Sequence, residues 1–95
     1  GAALPAAAEG TWVLWVKHIP HGSSGYWDLW GQYSSLEQCE GARAQLVYDG
    51  LLRDTLKAER HKTDEQLQEE ARKMLASDLR HRCLPNNEDP RERGD

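Results

Sequence analysis

Residues 11–18 and 26–33 are dense in β-branched and aromatic side chains and predict two strands. Between them, Ile19-Pro20-His21-Gly22-Ser23-Ser24-Gly25 is a run of turn formers. Two strands joined by so short a loop are most simply an antiparallel hairpin. Each strand carries a Trp-x-x-Trp, Trp12/Trp15 and Trp27/Trp30. Setting Trp12 opposite Trp30 and Trp15 opposite Trp27 centres the bend on His21, and each such aromatic pair adds about 0.2–1 kcal/mol. Side chains alternate faces along a strand. One face is therefore expected to carry Val13, Trp15, Trp27 and Leu29, and the other Trp12, Leu14, Val16, Tyr26, Asp28 and Trp30.

The period then changes. Leu36, Cys39, Ala42/Arg43, Leu46, Gly50 and Arg53 recur at helical spacing, widened by Val47 and Leu51. Ser34 with Glu37 has capping-box spacing and is expected to open this helix. Thr63 with Gln66 repeats the signal, so a break is expected over 60–62, with Leu67, Ala71, Met74 and Leu75 marking a second helix. A single helix kinked near residue 62 is the alternative. Alternation over 79–84 predicts a short third strand with Leu79, His81 and Cys83 on one face, ended by Pro85. The expected fold class is α+β, a ββααβ order with a hairpin and third strand packed on one or two helices. Residues 11–85 form the single domain, between a flexible leader, 1–10, and a flexible tail, 86–95, whose end from Glu88 onward has no apolar side chain larger than proline.

Composition narrows the classes. A chain of 95 residues without Phe builds a small core, and its four Trp and three Tyr must carry much of it. A net charge of −4 with interspersed signs argues against nucleic acid, which calls for a basic face. No apolar run has the length of a membrane span. Cys39 and Cys83 lie 44 positions apart, which is neither redox nor zinc-finger spacing. A structural Cys39–Cys83 disulfide is the expectation for an exported chain, with buried free thiols or an intermolecular bond as alternatives. The small apolar residues 2–8 suit either the remnant of an export-signal cleavage region or a plain leader.

Trp12-Val-Leu-Trp15, Trp27, Glu37-Gln-Cys39-Glu40 and Arg82-Cys83-Leu84-Pro85, followed by Asp89-Pro90-Arg91, occur in this order in a group of small exported bacterial proteins of uncharacterised function, which this chain resembles. The resemblance spans residues 11–91. It implies export to the periplasm or medium, a single domain, and a cysteine pair joining helix to final strand; it implies no reaction and no partner. The charged stretch over 55–76 is an elaboration on that pattern.

Catalytic signatures are sparse. There is no nucleophile elbow, phosphate-cradling glycine loop or His-Glu-x-x-His. His18 and His21, with Asp28 or His81 as a third group, are the one candidate metal or hydrolytic cluster, against the plainer reading of exposed loop histidines. No cofactor is expected. The functional clue is a surplus of aromatic surface. One helix layer covers one sheet face, and the Val13/Trp15/Trp27/Leu29 face, with Leu36, Cys39, Leu46 and Cys83, is expected to be the buried one. Trp12, Trp30 and Tyr26 then form an exposed face, unless the helices bury both sides of the sheet. The expected function is a non-catalytic binding module for a protein or carbohydrate ligand, or for a second copy. The other readings are a small enzyme around His18, His21 and Asp28, and an accessory subunit associating through its second helix.

Overall fold

Strand β1 (Trp12–His18) runs through the middle of a three-stranded antiparallel sheet, between β2 (Tyr26–Tyr33) and β3 (His81–Pro85). Helices α1 (Leu36–Lys57) and α2 (Asp64–Ala76) lie between β2 and β3 in sequence. The α+β fold, the two separate helices and the intramolecular Cys39–Cys83 bond are as expected. The computed structural model describes residues 11–92; the expected leader, 1–10, and the last three tail positions, 93–95, lie outside the described residues.

The hairpin register differs from the aromatic pairing expected above. Trp15 opposes Leu29, not Trp27, and Trp12 opposes Tyr33, not Trp30. Turn chemistry outweighs the Trp pairs here. Gly25 takes φ 96°, a turn conformation outside the strand region, and the absence of a Cβ lets it pass close to the His18 carbonyl oxygen, where a Cβ would lie at 2.9 Å. Strand pairing therefore begins with His18 and Tyr26, and the bend centres on Gly22. Near the loop the shift is two positions, which preserves the side-chain faces; a shift of one would have exchanged them. Higher up, the register slips between Leu14 and Trp15: Leu14 faces Gly31 while Trp15 faces Leu29. Trp30 is the extra residue of that bulge.

The helices cover the opposite face from the one expected. In the β1–β3 ladder Cys83 pairs with Leu14 and His81 with Val16, so the disulfide draws α1 onto the Leu14/Val16 side. Leu14 and Cys39 are fully buried there, whereas Leu36 is largely exposed. Closing the loop between the two cysteines contributes about 4 kcal/mol on the chain-entropy model, a large share of the roughly 5–15 kcal/mol typical of a domain.

The Val13/Trp15/Trp27 face is nevertheless buried. Together with Leu84 these residues form a compact cluster, Trp15 4% and Trp27 7% exposed. The chain after Pro85 lies beside Val13 and Trp15: Pro90 is fully buried, and the Arg91 guanidinium is 5.0 Å from the Trp15 ring centroid, while Lys17 Nζ lies 5.6 Å from that of Trp27. Residues 86–92 are thus a strap across the sheet and belong to the folded unit, where a flexible tail was expected. Leu79, assigned to β3 from its alternation, is exposed ahead of the strand.

Local capping explains the helix limits. Ser35, one position later than expected, is the N-cap of α1 and accepts from the Gln38 amide at 3.1 Å; Gln38 Oε1 in turn accepts from the Ser34 amide and hydroxyl. Thr63 and Gln66 close the expected capping box on α2. Between the helices, Glu59 N–H donates to Leu56 O and Arg60 N–H to Thr55 O, the Schellman pattern, with Glu59 at φ 55°. Tyr48 then ties α1 to the start of α2 by donating to Asp64 Oδ1 at 2.5 Å, a bond that raises the phenol pKa. Left-handed backbone is unfavourable for a side-chain-bearing residue. Glu59→Gly is therefore expected to raise stability by about 0.5–1 kcal/mol, read as a higher urea midpoint with an unchanged slope; an unchanged or lower midpoint contradicts the Schellman assignment.

Candidate functional site

Where the sheet, α1 and the end of α2 meet, they leave an open groove of about 640 Å³. Val16 and Trp30 form its floor. Leu46, Val47 and Leu51 of α1 form one wall, and Met74 and Leu79, from α2 and the segment after it, the other. Alternation along β2 puts Trp30 on the same side as Tyr26 and Asp28, facing the helices; the bulge leaves it without a cross-strand partner, and it is 52% exposed. Gly31, beside it, carries no side chain to crowd the site, and a Cβ there would lie 3.0 Å from the Tyr33 hydroxyl. Met74 is 47% and Leu79 81% exposed, so the groove continues onto an apolar surface.

Its polar rim has two parts. Arg53 and Arg80 line the groove, and neither guanidinium has a hydrogen bond or ion pair among the described residues. Asp78 and His81 line it too, but they belong to a network centred on Arg43. Arg43 Nε donates to His81 O at 2.9 Å, and its Nη2 to Leu75 O at 3.1 Å, lying 3.3 Å from Asp78 Oδ2. Asp78 also accepts from the Arg80 amide at 2.9 Å and lies 3.0 Å from His81 Nδ1. One half-buried guanidinium thus fastens α1 to the last turn of α2 and to the first residue of β3, fixing one wall of the groove. The signal for it was present in the sequence: Arg43 is a charge inside the inward stripe of α1.

The three aromatics expected to form an exposed face all lie on the helix side of the sheet, spread along it. Trp12, half-buried, is at one end opposite Tyr33 and Pro85. Tyr26 is exposed at the other end, with its ring 5.3 Å from that of His18. The pairs Trp12–Tyr33 and His18–Tyr26 are six positions apart along β1, about 20 Å of strand. Only Trp30 reaches the groove. His18 Nε2 lies 3.4 Å from Asp28 Oδ2, both well exposed, while His21 sits in the loop and His81 turns to Asp78. Among the described residues no group of three or more His, Cys, Asp or Glu side chains is placed to hold a metal, and no helix is long and apolar enough to cross a membrane.

Removing Arg43 leaves the Asp78 carboxylate, 10% exposed, without its cationic partner. Arg43→Met is expected to cost about 3 kcal/mol, with part recovered in Arg43→Met/Asp78→Asn, as judged by urea unfolding; additive losses in the double variant contradict the network. Compared with known proteins, the chain matches no family model, no curated protein and no solved structure.

Proposed function

We propose that this chain is a small, non-catalytic, exported binding module whose helix-side groove takes an acidic, apolar segment of a partner protein. The observation that carries this reading is Trp30, half-exposed at a bulge at the base of an aliphatic groove whose rim bears two arginines without partners among the described residues. Exposed aromatic residues set in apolar patches are the usual energetic centres of interfaces. The walls, Leu46, Leu51, Met74 and Leu79, are aliphatic and offer no side-chain hydrogen bonds, which suits an apolar protein anchor better than sugar hydroxyls. Arg53 and Arg80 supply positive charge on an acidic protein, and so favour carboxylates beside that anchor. The Cys39–Cys83 bond is compatible with an oxidising compartment, which supports export.

Two designed amphipathic peptides test this, each with a leucine face and with either glutamate or lysine elsewhere. The glutamate peptide is expected to bind, to shift tryptophan emission to the blue, and to weaken with salt. Trp30→Ala is expected to reduce its affinity about tenfold or more while leaving the melting temperature nearly unchanged. Equal binding of the lysine peptide, or binding that survives Trp30→Ala, contradicts the proposal. So does concentration-dependent protection of Trp30 without peptide, which assigns the groove to a second copy of this chain.

A further inference from the structure

The face away from the helices carries a second site, already filled by the chain itself. The strap runs past Val13, Trp15, Leu29 and Gln32, with Pro90 buried and Arg91 over the Trp15 ring. Asp89 grips Arg91 through both carboxylate oxygens, at 2.6–3.1 Å, and the bond holds the Asp89 carboxyl below its ordinary pKa. Beyond Asn86, whose amide donates to Thr11 O, the backbone bonds of the strap turn inward. Glu88 N–H donates to Pro85 O, Arg91 N–H to Asp89 Oδ1 and Glu92 N–H to Asp89 O. The burial of Pro90 and the stacking of Arg91 on Trp15 help to seat the strap on the sheet.

That seat is incomplete. The indole N–H groups of Trp15 and Trp27 are both buried and have no acceptor among the described residues. A buried donor normally finds a partner, and an orphaned one asks for an explanation. A space of about 380 Å³ also remains between the strap and Val13, Trp15, Leu29 and Gln32. A buried proline beside a guanidinium stacked on tryptophan is similar to the chemistry by which aromatic grooves hold extended proline-bearing segments. Such segments have no internal backbone hydrogen bonds, so their carbonyls are free to accept from indole donors. Here the strap supplies the proline and the arginine, but no acceptor for the indoles.

We infer that the Trp15/Trp27 face is a recognition surface for an extended acid–proline–arginine segment of a partner, and that Asp89-Pro90-Arg91 occludes it in cis. A partner segment that also accepts from the two indoles makes contacts the strap does not. It competes against a tethered segment whose effective concentration is in the millimolar range for a short link. This inference is independent of the helix-side groove, and either stands without the other.

The probe is a fluorescent peptide with the sequence of residues 86–92, added to the full chain and followed by anisotropy. Wild type is expected to bind it weakly, and the strap variant Pro90→Gly/Arg91→Ala about tenfold more tightly. Adding Trp15→Phe, which keeps a ring and removes the N–H, is expected to reverse much of that gain. A control peptide with glycine for proline and alanine for arginine is expected not to bind. A folded, disulfide-intact strap variant that binds neither peptide, or both equally, overturns the inference. Should that variant unfold, hydrogen exchange on wild type decides. Indole protons of Trp15 and Trp27 that exchange well before the β1 amides show a strap that opens by itself. Exchange together with the β1 amides makes the strap part of the cooperative core and overturns the inference.

Discussion

The central strand is apolar on both faces, and the rest of the architecture follows from the need to cover each of them. Val13 and Trp15 point one way and Leu14 and Val16 the other, and all four are buried. A single layer of helices closes one side of a sheet, and here it closes the Leu14/Val16 side. The other side is left to a strap of irregular chain whose main apolar contribution is one proline. The two covers differ in kind. The helical layer is cross-linked and clamped, while the strap adds a stacked guanidinium and short turns to the burial of Pro90.

Two fasteners hold the helical layer. The disulfide joins the first turn of α1 to β3, beside Leu14 at the centre of the sheet. Arg43, one turn further along α1, reaches the end of α2 and the start of β3 at once. Together they hold α1, the end of α2 and β3 as one body, so the groove between them has fixed walls. Its floor depends on the bulge. Without the slip between Leu14 and Trp15, Trp30 would face the helices as a paired strand residue opposite Leu14; with it, Trp30 has no cross-strand partner. The slip interrupts regular pairing at the sheet edge beside the exposed aromatic.

Much of this was legible in the residues. Strand composition, the Thr63/Gln66 box and the alternation before Pro85 located five elements, and alternation correctly divided the hairpin side chains between two faces. What failed did so for identifiable reasons. Pairing tryptophan with tryptophan overlooked the loop, in which Gly25 takes a positive φ as the last turn residue before Tyr26 and so moves the first pair to His18 and Tyr26. The face under the helices was chosen by apolar count, although the pairing of Cys83 with Leu14 decides it, and that pairing depends on a β1–β3 register no local pattern encodes. The strap was invisible because its hold on the sheet rests on Pro90 and Arg91, in a segment with no larger apolar residue and no periodicity. Of the three aromatics singled out, only Trp30 lines the groove, because about 20 Å of strand separates the other two.

The four tryptophans are unequally covered, and this is open to direct measurement on the unmodified protein. Each indole N–H gives its own nuclear magnetic resonance signal, and a soluble paramagnetic probe broadens the signals that solvent can approach. Trp30 is expected to broaden most, Trp12 less, and Trp15 and Trp27 least, since both of their indole nitrogens are buried. Broadening of Trp15 or Trp27 to the extent of Trp30 would contradict a strap-covered face, and protection of Trp30 in a monomer would contradict the groove.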